Sequence, residues 1–399
     1  MKVLVADKFE KSGLDGIAAL GCEVVSMPDL AGDTLREAIA AEKPQVLVVR
    51  STKVTAEMMD GSTLGLIIRA GAGVNTIDVA GASGLGIMVA NCPGKNAQAV
   101  AELAFGLMIA CDRHIPDNVA ELREGKWNKK QFSKAKGLYG RTLGLVGMGK
   151  IGQEMAVRAK AFGMNVLTFS RWMTPEVAAH LGVGRASSLL ELARQSDFVS
   201  VHVSYTPETK GLIGEEFFGA MQPGSVFINT SRCETVNQAA LESAVNAGRI
   251  SAGLDVFDDE PSGGEGEFNG SVRSLPNTYC THHIGASTDQ AQEAVADETV
   301  RIVREYKLTG VAPNVVNVQA EGVASHLLVV RHLDRVGVLA HVLTVLKDAG
   351  ANVQEMENIV LGGAKAAIAQ IGIDKEIPGD ALTKIKSNVN VLDVSQSAI

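Results

Sequence analysis

Aromatic side chains are scarce: two tryptophans, four tyrosines and 11 phenylalanines make up 4% of 399 residues. Positive charge is also in deficit, with a formal net charge of −8, so neither nucleic acid nor an anionic membrane surface is an expected partner. Five cysteines, Cys22, Cys92, Cys111, Cys233 and Cys280, stand singly. None has the paired spacing of a zinc site or disulfide framework, and reduced thiols with no bound metal are expected. No stretch approaches the ~18 continuous apolar residues of a membrane helix. The opening M-K-V-L-V-A-D runs straight into a strand-like segment, without a basic segment followed by an apolar signal core. A cytoplasmic protein is the expectation.

What remains is ordinary globular composition, 46% hydrophobic and 21% charged, in a chain long enough for two or three domains. Apolar runs at residues 3–6, 45–50, 66–69 and 87–89 alternate with longer helix-like segments. A second series begins at Leu143 and continues through 166–169, 198–203 and 226–229. This alternation predicts an α/β protein with two doubly wound parallel-sheet (Rossmann-like) domains. Between them, residues 96–111 are rich in alanine and leucine and predict a mostly buried helix bridging the two. A further helix is predicted over 291–306, then a polar, glycine-containing linker around 308–322. From Ser325 the pattern becomes a small β-α-β-β-α-β series, with a strand at 327–330 and an amphipathic helix at 337–349.

The most informative segment is L-G-L-V-G-M-G-K-I-G, residues 143–152. A strand here ends in Gly147, Gly149 and Gly152, with Lys150 and Ile151 among them as further cofactor candidates, and opens onto a helix-like segment at 153–162. Strand, tight turn and helix N-terminus together make a site for a dinucleotide pyrophosphate. The first glycine permits the turn, the second lets backbone approach phosphate, and the third lets helix and strand pack. Further on, T-S-R places Arg232 at a strand's C-terminal edge, G-L-D-V-F-D-D-E-P spans 253–261, and T-H-H-I-G-A-S-T spans 281–288. Arginine binds carboxylates bidentately, histidine exchanges protons near neutrality, and glutamate can support that histidine. Interconverting a 2-hydroxy acid and a 2-oxo acid requires those three groups.

Carrying these motifs in this order, together with R-S-T-K-V-T at 50–55 and A-G-A-G-V-N at 70–75, the chain resembles the D-2-hydroxyacid dehydrogenase family, and in particular its branch acting on 3-phosphoglycerate at the entry to serine synthesis. The resemblance implies a discontinuous substrate domain, residues 1–95 and 284–312, around a dinucleotide domain, 96–283, with hinges near Asn96 and His283. It makes Arg232 the substrate-orienting cation, Glu260 the carboxylate partner and His283 the acid/base. Asp255 is implied to receive the nicotinamide carboxamide, and His202 to wall the cofactor cleft. Backbone N–H groups of Gly71, Ala72 and Gly73 would hold the substrate carboxylate, with Asn96 nearby. Arg50, Ser51 and Arg69 match positions beside a substrate phosphate; Lys53, Lys129 and Lys130 are weaker candidates.

Several positions depart from the family pattern. His282 and Ser204 stand where proline is usual, and Cys233 and Glu234 where two glycines follow the arginine. Ser170 replaces the acidic residue that meets the ribose, and Arg171 follows it. The cofactor expectation is therefore NAD or NADP, leaning to NADP, since a 2′-phosphate is no longer repelled. After a linker at 313–324, residues 325–399 resemble an ACT-like regulatory domain. His332, Asp334 and Asn352 match positions contacting an L-serine effector, with a homodimer or homotetramer as the expected assembly. Two other functions remain open: an NADPH-dependent reductase of hydroxypyruvate, glyoxylate or another 2-oxo acid, and a dinucleotide-sensing binding protein on a dehydrogenase scaffold.

Overall fold

A computed structural model describes residues 1–261, 265–319, 322 and 324–399. The chain forms two compact units, Met1–Asn317 and Val318–Ile399. Within the first, strands β1 (Lys2–Val5), β2 (Glu23–Ser26), β3 (Val46–Val49), β4 (Leu66–Arg69) and β5 (Met88–Asn91) form a five-stranded sheet in the order β2-β1-β3-β4-β5. Every pairing in it is parallel. Because crossover helices cover both faces, central strands such as V-L-V-V of β3 are buried along their whole length. One face packs Leu4, Leu47 and Ile67 with Leu35 and Ile39. The other packs Val3, Val5, Val46 and Ile68 against Ile17 and against Val295, Ile302 and Val303. Those last three lie on the helix Asp289–Thr309. The first sheet is thus completed by a helix from some two hundred residues further along the chain.

The second sheet holds seven parallel strands, β6 (Thr142–Val146), β7 (Asn165–Phe169), β8 (Gly184–Arg185), β9 (Phe198–Val201), β10 (Ser225–Asn229), β11 (Ile250–Leu254) and β12 (Thr278–Cys280), ordered β12-β11-β10-β9-β6-β7-β8. Strand order reverses between β6 and β9, which places the ligand crevice at their C-terminal ends. The bridging helix Ala97–Arg113 buries Ala101, Ala104, Leu107 and Met108 against this sheet. Gly253 explains why β11 carries no apolar signature: a Cβ there would sit 2.7 Å from Ile228 and 2.9 Å from Leu107. Small residues let the helix lie close.

The expected linker differs at its start. Residues 314–317 continue the first unit along β5, where Val316 N donates to Val89 O at 2.8 Å and Val89 N to Asn317 Oδ1 at 2.8 Å. An otherwise bare sheet edge is thereby satisfied. Residues 320, 321 and 323 of that expected linker lie outside the described residues.

The second unit is an antiparallel sheet of β13 (His326–Leu333), β14 (Val353–Val360), β15 (Ala366–Ile373) and β16 (Val391–Ala398), ordered β14-β15-β13-β16. Its core joins Leu328, Val330, Ala369 and Ile371 to Val342 and Leu346 of the helix Val338–Asp348 and Ile385 of the helix Gly379–Lys386. Among the described residues, no helix is long and apolar enough to cross a membrane.

Candidate active site

At the end of β6 the backbone turns at Gly147 with φ +95°, a conformation open to glycine. A Cβ on Gly147 would lie 2.5 Å from the carbonyl oxygen of His202, and one on Gly152 would collide with the carbonyl of Gly147. Gly149 has nothing within 4 Å of its Cβ position and begins the helix Lys150–Ala161. Before that turn lies a cleft of about 440 Å³ lined by Gly147, Gly149, Ser170, Arg171, Trp172, His202, Ser204 and Glu208, among others. His202 is buried, and burial pushes its imidazole down to about 3, so the ring is neutral. Its Nε2 meets Ser200 Oγ at 2.8 Å, while Nδ1 has no hydrogen-bond partner among the described residues. Turn, helix N-terminus and unpartnered ring nitrogen suit a dinucleotide in this cleft. Sequence reasoning missed Glu208, whose carboxyl is lowered first by a hydrogen bond from Thr206, then by its own backbone N–H, with Arg171 near enough to add a smaller pull.

Beyond β10, Arg232 extends toward the other sheet. A Cβ on Gly73 would sit 2.7 Å from Arg232 Nη2, and one on Gly71 would overlap the guanidinium of Arg69. Burial pulls the Arg69 guanidinium below its ordinary value, and the like charges of Arg232 and Arg50 pull it further. The glycine loop and three arginines therefore converge. Ser51 is committed elsewhere: its hydroxyl donates to Asp7 Oδ1 at 3.0 Å, while Asp7 Oδ2 accepts from the backbone of Arg50 at 2.6 Å and Thr52 at 3.2 Å. Asp7, at the end of β1, gave no motif to read. Ala72 O accepts from Asn91 Nδ2 at 2.6 Å. Asn96 begins the bridging helix without a side-chain cap bond. Lys129 lines a separate cleft with Trp127 and Phe132.

His283 and Glu260 meet at 2.7 Å, Nδ1 to Oε2, and Glu260 Oε1 accepts from Phe257 N at 3.0 Å. An ionised Glu260 only accepts, so Nδ1 carries the hydrogen and Nε2 remains for proton exchange. The Glu260 hydrogen bond raises the imidazole above its ordinary value against the opposing effects of burial and Arg232. Burial acts to raise the Glu260 carboxyl, but hydrogen bonds from His283 and Phe257 N–H, with the charges of His283 and Arg232, leave it lowered. Half of the His283 side chain is exposed, so the proton has a route to solvent.

His283 occupies φ +52°, in the left-handed region that non-glycine residues rarely adopt. Buried Asp255 holds it there. Its Oδ1 accepts from Thr281 Oγ1 at 2.6 Å and Ile284 N at 2.9 Å, and Oδ2 from Gly285 N at 2.8 Å. That commitment to the histidine loop was not foreseen in the sequence. His282 is exposed. Burial pushes the Cys233 thiol up to about 12, helped by its contact with Glu234 at 3.3 Å, so it stays protonated.

The effector candidates are not gathered within one chain. His332 pairs with Ala367 and Val353 with Ile373, the residue that faces His326. Asn352, just before β14, therefore lies about 20 Å along β13 from His332, at roughly 3.3 Å per residue. Asp334 follows β13 at the His332 end, its N donating to Lys365 O at 3.0 Å. The buried His332 ring bonds Leu333 O at 2.8 Å and Asn358 Oδ1 at 3.1 Å.

The family described as "D-isomer specific 2-hydroxyacid dehydrogenase, NAD binding domain" matches residues 105–285. A D-3-phosphoglycerate dehydrogenase of Methanocaldococcus jannaschii is 38% identical over 320 residues, 79% of this chain and 59% of that protein. A hydroxypyruvate reductase of Thermotoga maritima is 46% identical over 258 residues, 64% of this chain and 82% of that protein. Among solved structures, NAD+-bound 3-phosphoglycerate dehydrogenase of Entamoeba histolytica superposes with a TM-score of 0.66 at 25% identity, over 80% of this chain and 99% of that one. The chain thus spans less than two thirds of the length of the first of these relatives.

Proposed function

The chain belongs to the D-isomer-specific 2-hydroxyacid dehydrogenases, and from that premise we propose that it interconverts 3-phosphoglycerate and 3-phosphohydroxypyruvate with NAD(P). One observation carries the choice of substrate: the Arg69 and Arg232 guanidiniums lie against Gly71 and Gly73, and burial, followed by the like charges of Arg232 and Arg50, lowers Arg69 there. That is more positive charge than one carboxylate neutralises, and it suits a molecule bearing a carboxylate and a phosphate. Residues 1–95 and 284–312 act as substrate domain and 96–283 as dinucleotide domain.

In this reading the backbone of residues 71–73 and Arg232 grip the carboxylate, and Arg232 also polarises the C2 oxygen. His283 Nε2 takes the hydroxyl proton in oxidation and returns it in reduction. Glu260 fixes the tautomer and raises the ring's basicity. Gly147, Gly149, Lys150, Ile151 and Gly152 hold the pyrophosphate, and the bound dinucleotide supplies the hydride acceptor or donor. Ser170 and Arg171 at the end of β7 favour NADP, because no carboxylate repels a 2′-phosphate there; Glu208 tempers that preference.

A second reading, hydroxypyruvate reduction, is favoured by the 46% identity to the Thermotoga maritima protein. Rates with 3-phosphoglycerate and hydroxypyruvate, each measured with both cofactors, decide between them. A hundredfold preference for hydroxypyruvate in kcat/KM replaces the first reading with the second, and a hundredfold preference for NAD removes the NADP lean. Absence of turnover with every 2-hydroxy and 2-oxo acid leaves a dinucleotide-sensing protein.

For the second unit we propose an ACT-like domain. The separation of His332 and Asp334 from Asn352 supports an L-serine site completed by a second copy, hence a homodimer or homotetramer. Inhibition of initial rate by millimolar serine tests this, and a flat titration rejects it.

A further inference from the structure

We propose that Asn91 and Asn314 are positioning residues that aim the glycine loop, and that the segment leading to the C-terminal unit is thereby coupled to substrate binding. The inference rests on reading residues 71–73 as the carboxylate-binding loop. Asn91 ends β5 directly beside Arg69 in the parallel register. Its Nδ2 donates to Ala72 O at 2.6 Å. Carbonyl and following N–H share one planar trans peptide and point in opposite directions, so fixing the Ala72 oxygen fixes where the Gly73 N–H points. Asn91 never touches the substrate, yet it sets the direction of a donor that does.

Asn91 is itself held from behind. Its N donates to Asn314 O at 3.4 Å, and its O accepts from Asn314 Nδ2 at 3.3 Å. Asn314 sits at φ +58°, a conformation asparagine tolerates better than most side chains. Its Nδ2 also donates at 2.7 Å to Glu298 Oε1. Glu298 is buried, bonded by Arg301 at 2.6 and 3.1 Å and by Lys95 at 3.2 Å. An anchored carboxylate thus orients one carboxamide, which braces the second, which sets the peptide plane.

The same short stretch is where the chain departs for the second unit. Val315 bridges Ala90, and Asn317 Nδ2 donates to Ile87 O at 2.9 Å and Ser83 Oγ at 3.0 Å. Tension on residue 318 acts first on Asn317, then along β5 to Asn91 and the 72–73 peptide. Distance does not isolate the loop from the tail.

The test uses the full-length chain with N91A, N314G and N317A; glycine at 314 keeps the left-handed backbone while removing the carboxamide. KM for 3-phosphoglycerate should rise about tenfold in N91A and N314G and about threefold in N317A, the loss of one neutral hydrogen bond or less. Turnover and NADH affinity should stay within about twofold of wild type. Amide exchange at Gly73 should quicken in all three. Unchanged KM and exchange, or a parallel loss of NADH affinity, overturns the proposal. If the wild type turns over no 2-hydroxy or 2-oxo acid, the proposed function fails, and exchange at Gly73 still decides whether the asparagines aim the loop.

Discussion

Glycine serves opposite purposes at residues 147–152 and at residues 71–73. At the first site the forbidden Cβ would strike main chain, the carbonyls of His202 and Gly147. At the second it would strike the ends of flexible side chains, Arg69 and Arg232. At Gly147 and Gly152 the dinucleotide turn is closed by main chain and admits nothing larger, whereas at Gly73 the substrate loop meets the ends of side chains that can withdraw. Residues that hold shape are therefore separable by experiment from residues that hold ligand.

Removing the proton carrier is the strongest test, since it should strike chemistry and leave both glycine sites intact. H283A should lower kcat by about 10³–10⁴-fold with NADH affinity unchanged in a fluorescence titration. A modest loss would move the acid/base role elsewhere, His282 being the neighbour to check. The two glycine sites come next. G147A should weaken NADH binding by about 100-fold, because backbone cannot yield, whereas G73A should raise substrate KM by about tenfold and spare NADH. Equal effects of both variants on NADH would erase the distinction.

Within the substrate loop, R69A should cost a phosphorylated substrate about 10–100-fold in kcat/KM, the worth of a charge-assisted contact. A nonphosphorylated 2-oxo acid should lose only a few-fold. Equal losses would return the choice to hydroxypyruvate. The smallest expected effect is a displaced pH profile in E260Q. Glu260 raises His283, so its loss should move the rising limb of substrate oxidation, and the falling limb of reduction, to lower pH. The sign for stability follows: the dyad's contribution through His283 is complete below the ordinary imidazole value and fades as pH rises through the raised one. A limb fixed in place would detach Glu260 from the histidine.

Much of the frame was legible because its signals are local. Apolar runs marked β1, β3, β4, β5, β6, β7, β9 and β10, and the glycine spacing located the cleft. The edge strands β2, β8 and β12 and the strand β11 escaped: β8 has two residues, β12 three, and β11 replaces bulk with Ala252 and Gly253 to admit a helix. Arg232 was readable at its strand edge, but only the family motifs singled out Glu260 and His283 within their segments. What no pattern announced were Asp7 and Asn91, and the bonds by which Asp255, expected at the nicotinamide, holds the histidine loop. Any polar residue after a strand looks alike until its partner is known.

The helix Asp289–Thr309 carries a consequence for biosynthesis. Val3, Val5, Val46 and Ile68 find much of their cover on Val295, Ile302 and Val303, so the N-terminal layer leaves the ribosome long before its lid is translated. Nascent chains shorter than about three hundred residues must carry that sheet with much of one oily side uncovered, a liability for clumping and a natural docking place for chaperones. Truncations ending before Asp289 should accumulate as inclusion bodies, while co-expression of the missing helix offers a route to rescue them.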